Sequence, residues 1–112
     1  MNAMPHMEEI CRRVVAAYRK AYGDDIEAIY LYGSYARGDY DEDSDIDFAA
    51  IVKGDPVSLS KKREQILDCT VKMDLELDVI TSPMIISSEI FNAYKDEGGY
   101  YGNIFKEGKK IA

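Results

Sequence analysis

The chain has 112 residues, 46% of them hydrophobic and 31% charged, with a net charge of −7. That balance excludes a disordered chain. The acidic total and the lack of a dense Lys/Arg cluster argue against direct nucleic-acid binding, and no apolar run reaches membrane-spanning length. The length predicts one small domain over residues 1–112. Cys11 and Cys69 lack Cys or His neighbours at zinc-ligand spacing and are expected to be free thiols. With no signal-peptide pattern at the start, the expected location is the cytoplasm.

Ile10, Val14, Tyr18 and Tyr22 recur at helical spacing before Gly23, which predicts an amphipathic helix over 7–22. Residues 26–32, rich in β-branched and aromatic side chains, read as a strand that Gly33 ends. A short helical turn over 34–37 closes at Gly38, and an acidic loop, 39–44, follows. A second strand is predicted over 46–52, before Gly54-Asp55-Pro56. Ser58 or Ser60 is then expected to cap a helix over about 60–69.

The alternation of Val71, Met73, Leu75, Leu77 and Val79 with polar residues has the period of a half-buried strand, predicted over 71–80. Ser82-Pro83 reads as a cap and first-turn proline, opening a helix over about 83–95. Gly98-Gly99 breaks the chain before a last helix over 100–107, and Ile111 is expected in a short final strand. The order predicts an α/β (α+β) domain with a small mixed sheet flanked by helices.

Chemistry concentrates between residues 33 and 47. A strand ending in Gly33 and running into a helical turn presents backbone N–H groups and leaves room for a phosphate, and Ser34 adds a hydroxyl. Asp45 and Asp47 lie two positions apart at the opening of a strand. They project from one face with Cα atoms about 6.6 Å apart, a spacing on which carboxylates can converge on a pair of Mg2+ ions. Each element alone is common. Together, in this order, they provide a cradle for phosphate oxygens and ligands for the metals that bridge them. Asp74, Glu76 and Asp78 alternate in the third predicted strand and share a face, and periodicity does not single out one of them.

The string Gly33-Ser34-Tyr35-Ala36-Arg37-Gly38 through Ser44-Asp45-Ile46-Asp47 resembles the signature of the minimal nucleotidyltransferases (MNT domains) of the polymerase-beta-like superfamily, and residues 104–111 resemble that family's C-terminal segment. Tyr35 departs from the pattern, which often has arginine there. The resemblance implies the polymerase-beta-like fold and a third carboxylate on a neighbouring strand, for which Asp78 is chosen because Leu77, Val79 and Ile80 match the family's apolar flanks. It implies two Mg2+ ions held by Asp45, Asp47 and Asp78, ATP as substrate, and Gly33, Ser34 and Arg37 as nucleotide-binding residues. Arg37 can equally pair with the acidic loop.

With no acceptor-positioning domain expected in so short a chain, the resemblance points to an MNT antitoxin that transfers AMP to a tyrosine of a partner HEPN-domain RNase toxin. The alternatives are an antitoxin that neutralises by contact alone and a nucleotidyltransferase acting on a small molecule.

Overall fold

The computed structural model describes residues 6–112. Helix α1 (Met7–Tyr22) leads through a 3-10 turn (Gly23–Asp25) into strand β1 (Ile26–Tyr32), the short helix α2 (Ser34–Arg37) and strand β2 (Ile46–Val52). Helices α3 (Pro56–Ser60) and α4 (Arg63–Leu77) carry the chain to β3 (Thr81–Ser87). Helices α5 (Ser88–Tyr94) and α6 (Tyr100–Glu107) and the two-residue strand β4 (Lys109–Lys110) complete it. The sheet order is β3-β2-β1-β4; β2 and β3 run parallel and the other neighbours antiparallel.

Two apolar layers sandwich the sheet. On one face Ile10, Val14 and Tyr18 of α1 and Ile66 and Met73 of α4 pack on Ile29, Leu31, Ile46, Phe48, Ala50 and Val52. On the other, Phe91 of α5 and Ile104 of α6 cover Ala28, Tyr30, Ala49, Ile51 and Ile86. Covered on both sides, β2 is a nearly continuous apolar run after Asp47, as a strand buried on both faces requires. The predicted 7–22 helix, the 26–32 and 46–52 strands and the 100–107 helix all form, and Ile111 donates its N–H to the Ile29 carbonyl just past β4.

Between residues 56 and 95 the chain folds differently from the sequence expectation. Asp55 caps α3 by accepting the Ser58 N–H at 2.9 Å, and α4 begins at Arg63 with no side-chain cap. Ser58 and Ser60 therefore cap no long helix. The stretch 71–80 is not a strand: α4 continues to Leu77. Ile66, Thr70 and Met73 are buried, and Leu77 packs at the edge of the same core. Those four positions repeat every three or four residues, the period of one helical face. The period-two alternation was incidental, since Val71 and Leu75 stand 52% and 82% exposed.

Nor does a helix open at Ser82-Pro83. Thr81–Ser87 pairs with β2 at the sheet edge, where proline's missing N–H is tolerated, and the helix starts at Ser88.

Asp74, Glu76 and Asp78 consequently do not share a strand face. Asp74 accepts the Thr81 N–H at 3.0 Å and the Thr81 hydroxyl at 2.9 Å, tying the end of α4 to the start of β3. Glu76 pairs with Arg13 of α1 at 3.0 Å. Asp78 ends α4 in the left-handed conformation (φ 55°, ψ 51°), and its N–H donates to the Asp74 carbonyl, a left-handed helix cap. Among the described residues no helix is long and apolar enough to cross a membrane.

The Asp74 bonds are charge-assisted and partly buried, so Asp74→Ala is expected to cost about 1–3 kcal/mol of stability. Glu76→Ala, removing an exposed ion pair, is expected to cost under about 1 kcal/mol. Urea denaturation of both variants checks this; equal losses would contradict the assignment of Asp74 as the tie between α4 and β3.

Candidate functional site

The carboxyl end of β1 and the amino ends of β2 and β3 meet at one end of the sheet. There Tyr32 of β1 lies opposite Asp47 of β2, and Asp47 lies level with Ser82 of β3. Tyr32, Asp47 and Ser82 thus form a row on the face covered by α5 and α6, because directly paired residues project to the same side. The sequence motif becomes a place in space through this register.

Gly33 follows Tyr32 with φ 75° and ψ −153°, a region open essentially to glycine alone. A Cβ built on Gly33 would sit 2.3 Å from Asp47 Oδ2. The Asp47 carboxylate therefore lies directly against the Gly33 backbone, joining the two halves of the motif. Ala36 and Arg37 donate their N–H groups back to the Gly33 carbonyl at 3.1 Å, closing α2, so the first-turn donors belong to Ser34 and Tyr35.

Burial first, and the neighbouring negative charge of Asp45 second, push the Asp47 carboxyl above its usual range; Arg37 partly offsets them. Asp47, half-buried beside the exposed Asp45, is an acid whose charged form a cation would stabilise. Arg37 is engaged elsewhere: its Nε reaches Asp39 at 3.3 Å and its guanidinium reaches Glu107 at 3.5 Å. In this structure it pairs with the acidic loop and the end of α6. The loop itself is organised by Asp41, which accepts from the Asp43 N–H and the Ser44 hydroxyl.

The structure brings Gly33, Ser34, Arg37, Asp45 and Asp47 together and sets Asp78 apart. Asp78 lines a groove of about 290 Å³ with Tyr35, Glu42, Asp43, Ser44, Ile46, Val79 and Ile80. Tyr35 and Ile46 pack into the α1/α4 layer, so the groove opens toward the sheet face opposite Asp47. Among the described residues no three His, Cys, Asp or Glu side chains cluster as a metal site. The position on β3 level with Asp47 is held by Ser82 rather than an acid.

Read from sequence, Ser82 has only the role of a helix cap, and Tyr32 and Tyr100 have none at this end of the sheet. Tyr32 and Tyr100 join hydroxyls at 2.8 Å, and burial, then that hydrogen bond, raises the Tyr32 phenol well above its usual range. The only local signals were a tyrosine directly before Gly33 and another directly after Gly98-Gly99.

Comparison with known proteins assigns this geometry to a family. The Nucleotidyltransferase domain family matches residues 11–111. The chain belongs to that family.

Two proteins of Methanocaldococcus jannaschii, MJ0604 and MJ0141, both carrying the name "Putative protein adenylyltransferase", are similar to this nucleotidyltransferase. MJ0604 is 33% identical over 93% of this chain and 96% of its own length. MJ0141 is 38% identical over 70% of this chain and 78% of its own length. Two solved structures share the fold, each aligning over 91% of this chain and 72% of theirs. One, a toxin-antitoxin with AMP-PNP, has a TM-score of 0.56 at 20% identity. The other, a mutant of the toxin-antitoxin MntA-HpeT, has a TM-score of 0.55 at 17% identity. The mixed sheet flanked by helices is thus a nucleotidyltransferase fold.

The contact between Gly33 and Asp47 has a measurable signature. A Cβ at Gly38 (φ 89°) would meet nothing within 4 Å, so Gly38→Ala is expected to lose only the backbone term, about 1 kcal/mol. Gly33→Ala carries about 1–3 kcal/mol of backbone strain and must also displace the Asp47 carboxylate. Thermal unfolding of the two variants should rank Gly33→Ala as clearly less stable; the reverse order would contradict the tight Gly33–Asp47 contact.

Proposed function

We propose that this nucleotidyltransferase moves AMP from ATP to a tyrosine hydroxyl of a protein partner, a HEPN-domain RNase toxin, and silences it as an antitoxin. The observation that carries the reading is the Asp47 carboxylate packed against Gly33, because one end of the sheet then serves both the phosphate chain and its counter-ion. The names of the two M. jannaschii relatives and the toxin-antitoxin folds support the choice of a protein acceptor. Cys11 and Cys69, both free, fit work in a reducing cytoplasm.

The donor set fits Mg2+. This ion is commonly held by one or two carboxylates, with phosphate oxygens and water completing its shell, and Asp45 and Asp47 are two hard oxygen donors whose mutual repulsion a cation relieves. When bound, Mg2+ would neutralise charge on the triphosphate and on the α-phosphoryl group in flight.

The protein's own residues do the rest. Gly33 lets the phosphate chain approach the backbone, and Ser34 offers its N–H and hydroxyl. Arg37, near enough to Asp47 to affect its charge, can exchange Asp39 and Glu107 for a phosphate oxygen. The acceptor oxygen attacks the α-phosphorus in line and pyrophosphate leaves.

Asp78 has a carboxylate with no bonded partner among the described residues, whereas Asp74 and Glu76 are committed to Thr81 and Arg13. It is therefore the one of the three left uncommitted, but the groove it lines lies apart from Asp47, so the incoming hydroxyl's proton is assigned to water rather than to Asp78.

A second reading, an antitoxin acting by contact alone, is favoured by one observation: Asp78 lies in a groove apart from Asp47. The two readings separate in one experiment. Incubated with the HEPN partner, ATP and Mg2+, the wild-type chain is expected to add AMP mass to the partner. Asp45→Ala/Asp47→Ala is expected to lower that rate at least about a hundredfold, and EDTA to abolish it. No added mass with the wild type, together with toxin neutralisation that survives in the double variant, would replace the catalytic reading with the contact one.

A further inference from the structure

A ladder of four tyrosines runs outward from the row that contains Asp47. Tyr32, opposite Asp47, meets Tyr100 edge to face at 6.1 Å, with the two hydroxyls 2.8 Å apart. Tyr100 meets Tyr101 edge to face at 5.4 Å, and Tyr101 stacks on Tyr94 at 6.3 Å. Tyr100 also lines a groove of about 200 Å³ along the β3 edge, with Met84, Ile86, Tyr101 and Arg63. A side chain that touches Tyr32 on β1 and shares a groove with Met84 on β3 reaches across β2. Ala49, the β2 residue paired with Met84, is two residues inward of Asp47 on the same face.

Packing alone does not account for this placement. Tyr30, Phe91 and Ile104 already fill that face of the sheet and are buried, whereas Tyr100 remains 47% exposed. Its position is nonetheless set on both sides. Gly99, with φ 89°, starts α6 at Tyr100, and the Tyr32 hydroxyl holds the far end of the ring. An exposed aromatic face restrained at both ends binds a flat ligand with little ordering left to do.

We propose that the exposed ring of Tyr100 is the stacking platform for the base of the nucleoside triphosphate, with Tyr32 as its positioning residue. The proposal rests on the reading of Gly33, Asp45 and Asp47 as the triphosphate site, from which the sugar and base extend over this same sheet face. Stacking on an aromatic ring tolerates every base because every base has a π face. The two serine hydroxyls of the groove beyond are already engaged, Ser87 donating to the Gly54 carbonyl at 2.8 Å and Ser60 to the Val57 carbonyl at 2.7 Å, which leaves Arg63 as its one charged side chain. The base therefore adds affinity while ATP and GTP are weakly distinguished.

Calorimetric titration with ATP, GTP and inorganic tripolyphosphate, each with Mg2+, tests this on the full chain. The wild type is expected to bind ATP more tightly than tripolyphosphate, with GTP within about fivefold of ATP. Tyr100→Ala is expected to weaken ATP binding about tenfold and leave tripolyphosphate binding unchanged, while Tyr100→Phe, which keeps the ring but loses the hydroxyl bond to Tyr32, falls between the wild type and Tyr100→Ala. Tyr100→Leu, which keeps apolar bulk without a ring, is read in place of Tyr100→Ala if the latter does not fold.

Unchanged ATP binding in Tyr100→Ala, or equal weakening of ATP and tripolyphosphate, overturns the stacking role. Equal wild-type affinity for both ligands overturns it while leaving the triphosphate site standing. Failure of the wild type to bind either removes that site and the stacking role together.

Discussion

Asp47 can press its carboxylate against the backbone of Gly33 only because β1 and β2 pair in one register, with Tyr32 opposite Asp47 and Leu31 opposite Phe48. A slip of one residue would turn Asp47 to the other face and bring Phe48 out of its core. The register is fixed by burial. Phe48, Ala50 and Val52 fit under α1 and α4, while Ala49 and Ile51 fit under α5 and α6. The two cores thus determine where a single carboxylate sits, and the polar end of the sheet follows from its apolar middle.

The same constraint raises the Asp47 carboxyl above its usual range. Asp47 is half-buried by its packing on Gly33 and feels Asp45 two residues earlier, so its ionised form is disfavoured. In a domain of net charge −7, the proposed Mg2+ would neutralise this pair and let the proposed triphosphate approach it. Arg37 is held between Asp39 and Glu107, placing a cation beside the site without filling it. The acidic total that argues against nucleic acid is therefore compatible with a highly charged nucleotide.

Much of the fold was legible because its signals are local. Strong periodicity at Ile10, Val14 and Tyr18, β-branched runs bounded by glycine, and the Gly-Ser…Asp-x-Asp order each declare themselves within a few residues. The region 56–95 was not legible in the same way. Val71, Met73, Leu75 and Leu77 alternate, while Met73 and Leu77 also share a helical face with Ile66 and Thr70; packing of α4 on α1 decides between the two patterns, along with the Asp74–Thr81 bonds.

Pro83 fits the first turn of a helix and an edge strand equally well, and only the pairing of β3 with β2 decides for the strand. The placement of Asp78 apart from Asp47 and the Tyr32–Tyr100 contact, which spans 68 residues of sequence, depend on the assembled sheet. No local pattern encodes them.

The central claim is that one end of the sheet receives both the phosphate chain and the metal. Crystals grown with a non-hydrolysable ATP analogue and Mn2+ test it most directly, because Mn2+ scatters anomalously and reports its own position. The account predicts an anomalous peak between Asp45 and Asp47, with the β- and γ-phosphates on Gly33 and Ser34. A triphosphate lodged in the Asp78 groove, with no metal at Asp47, would contradict it.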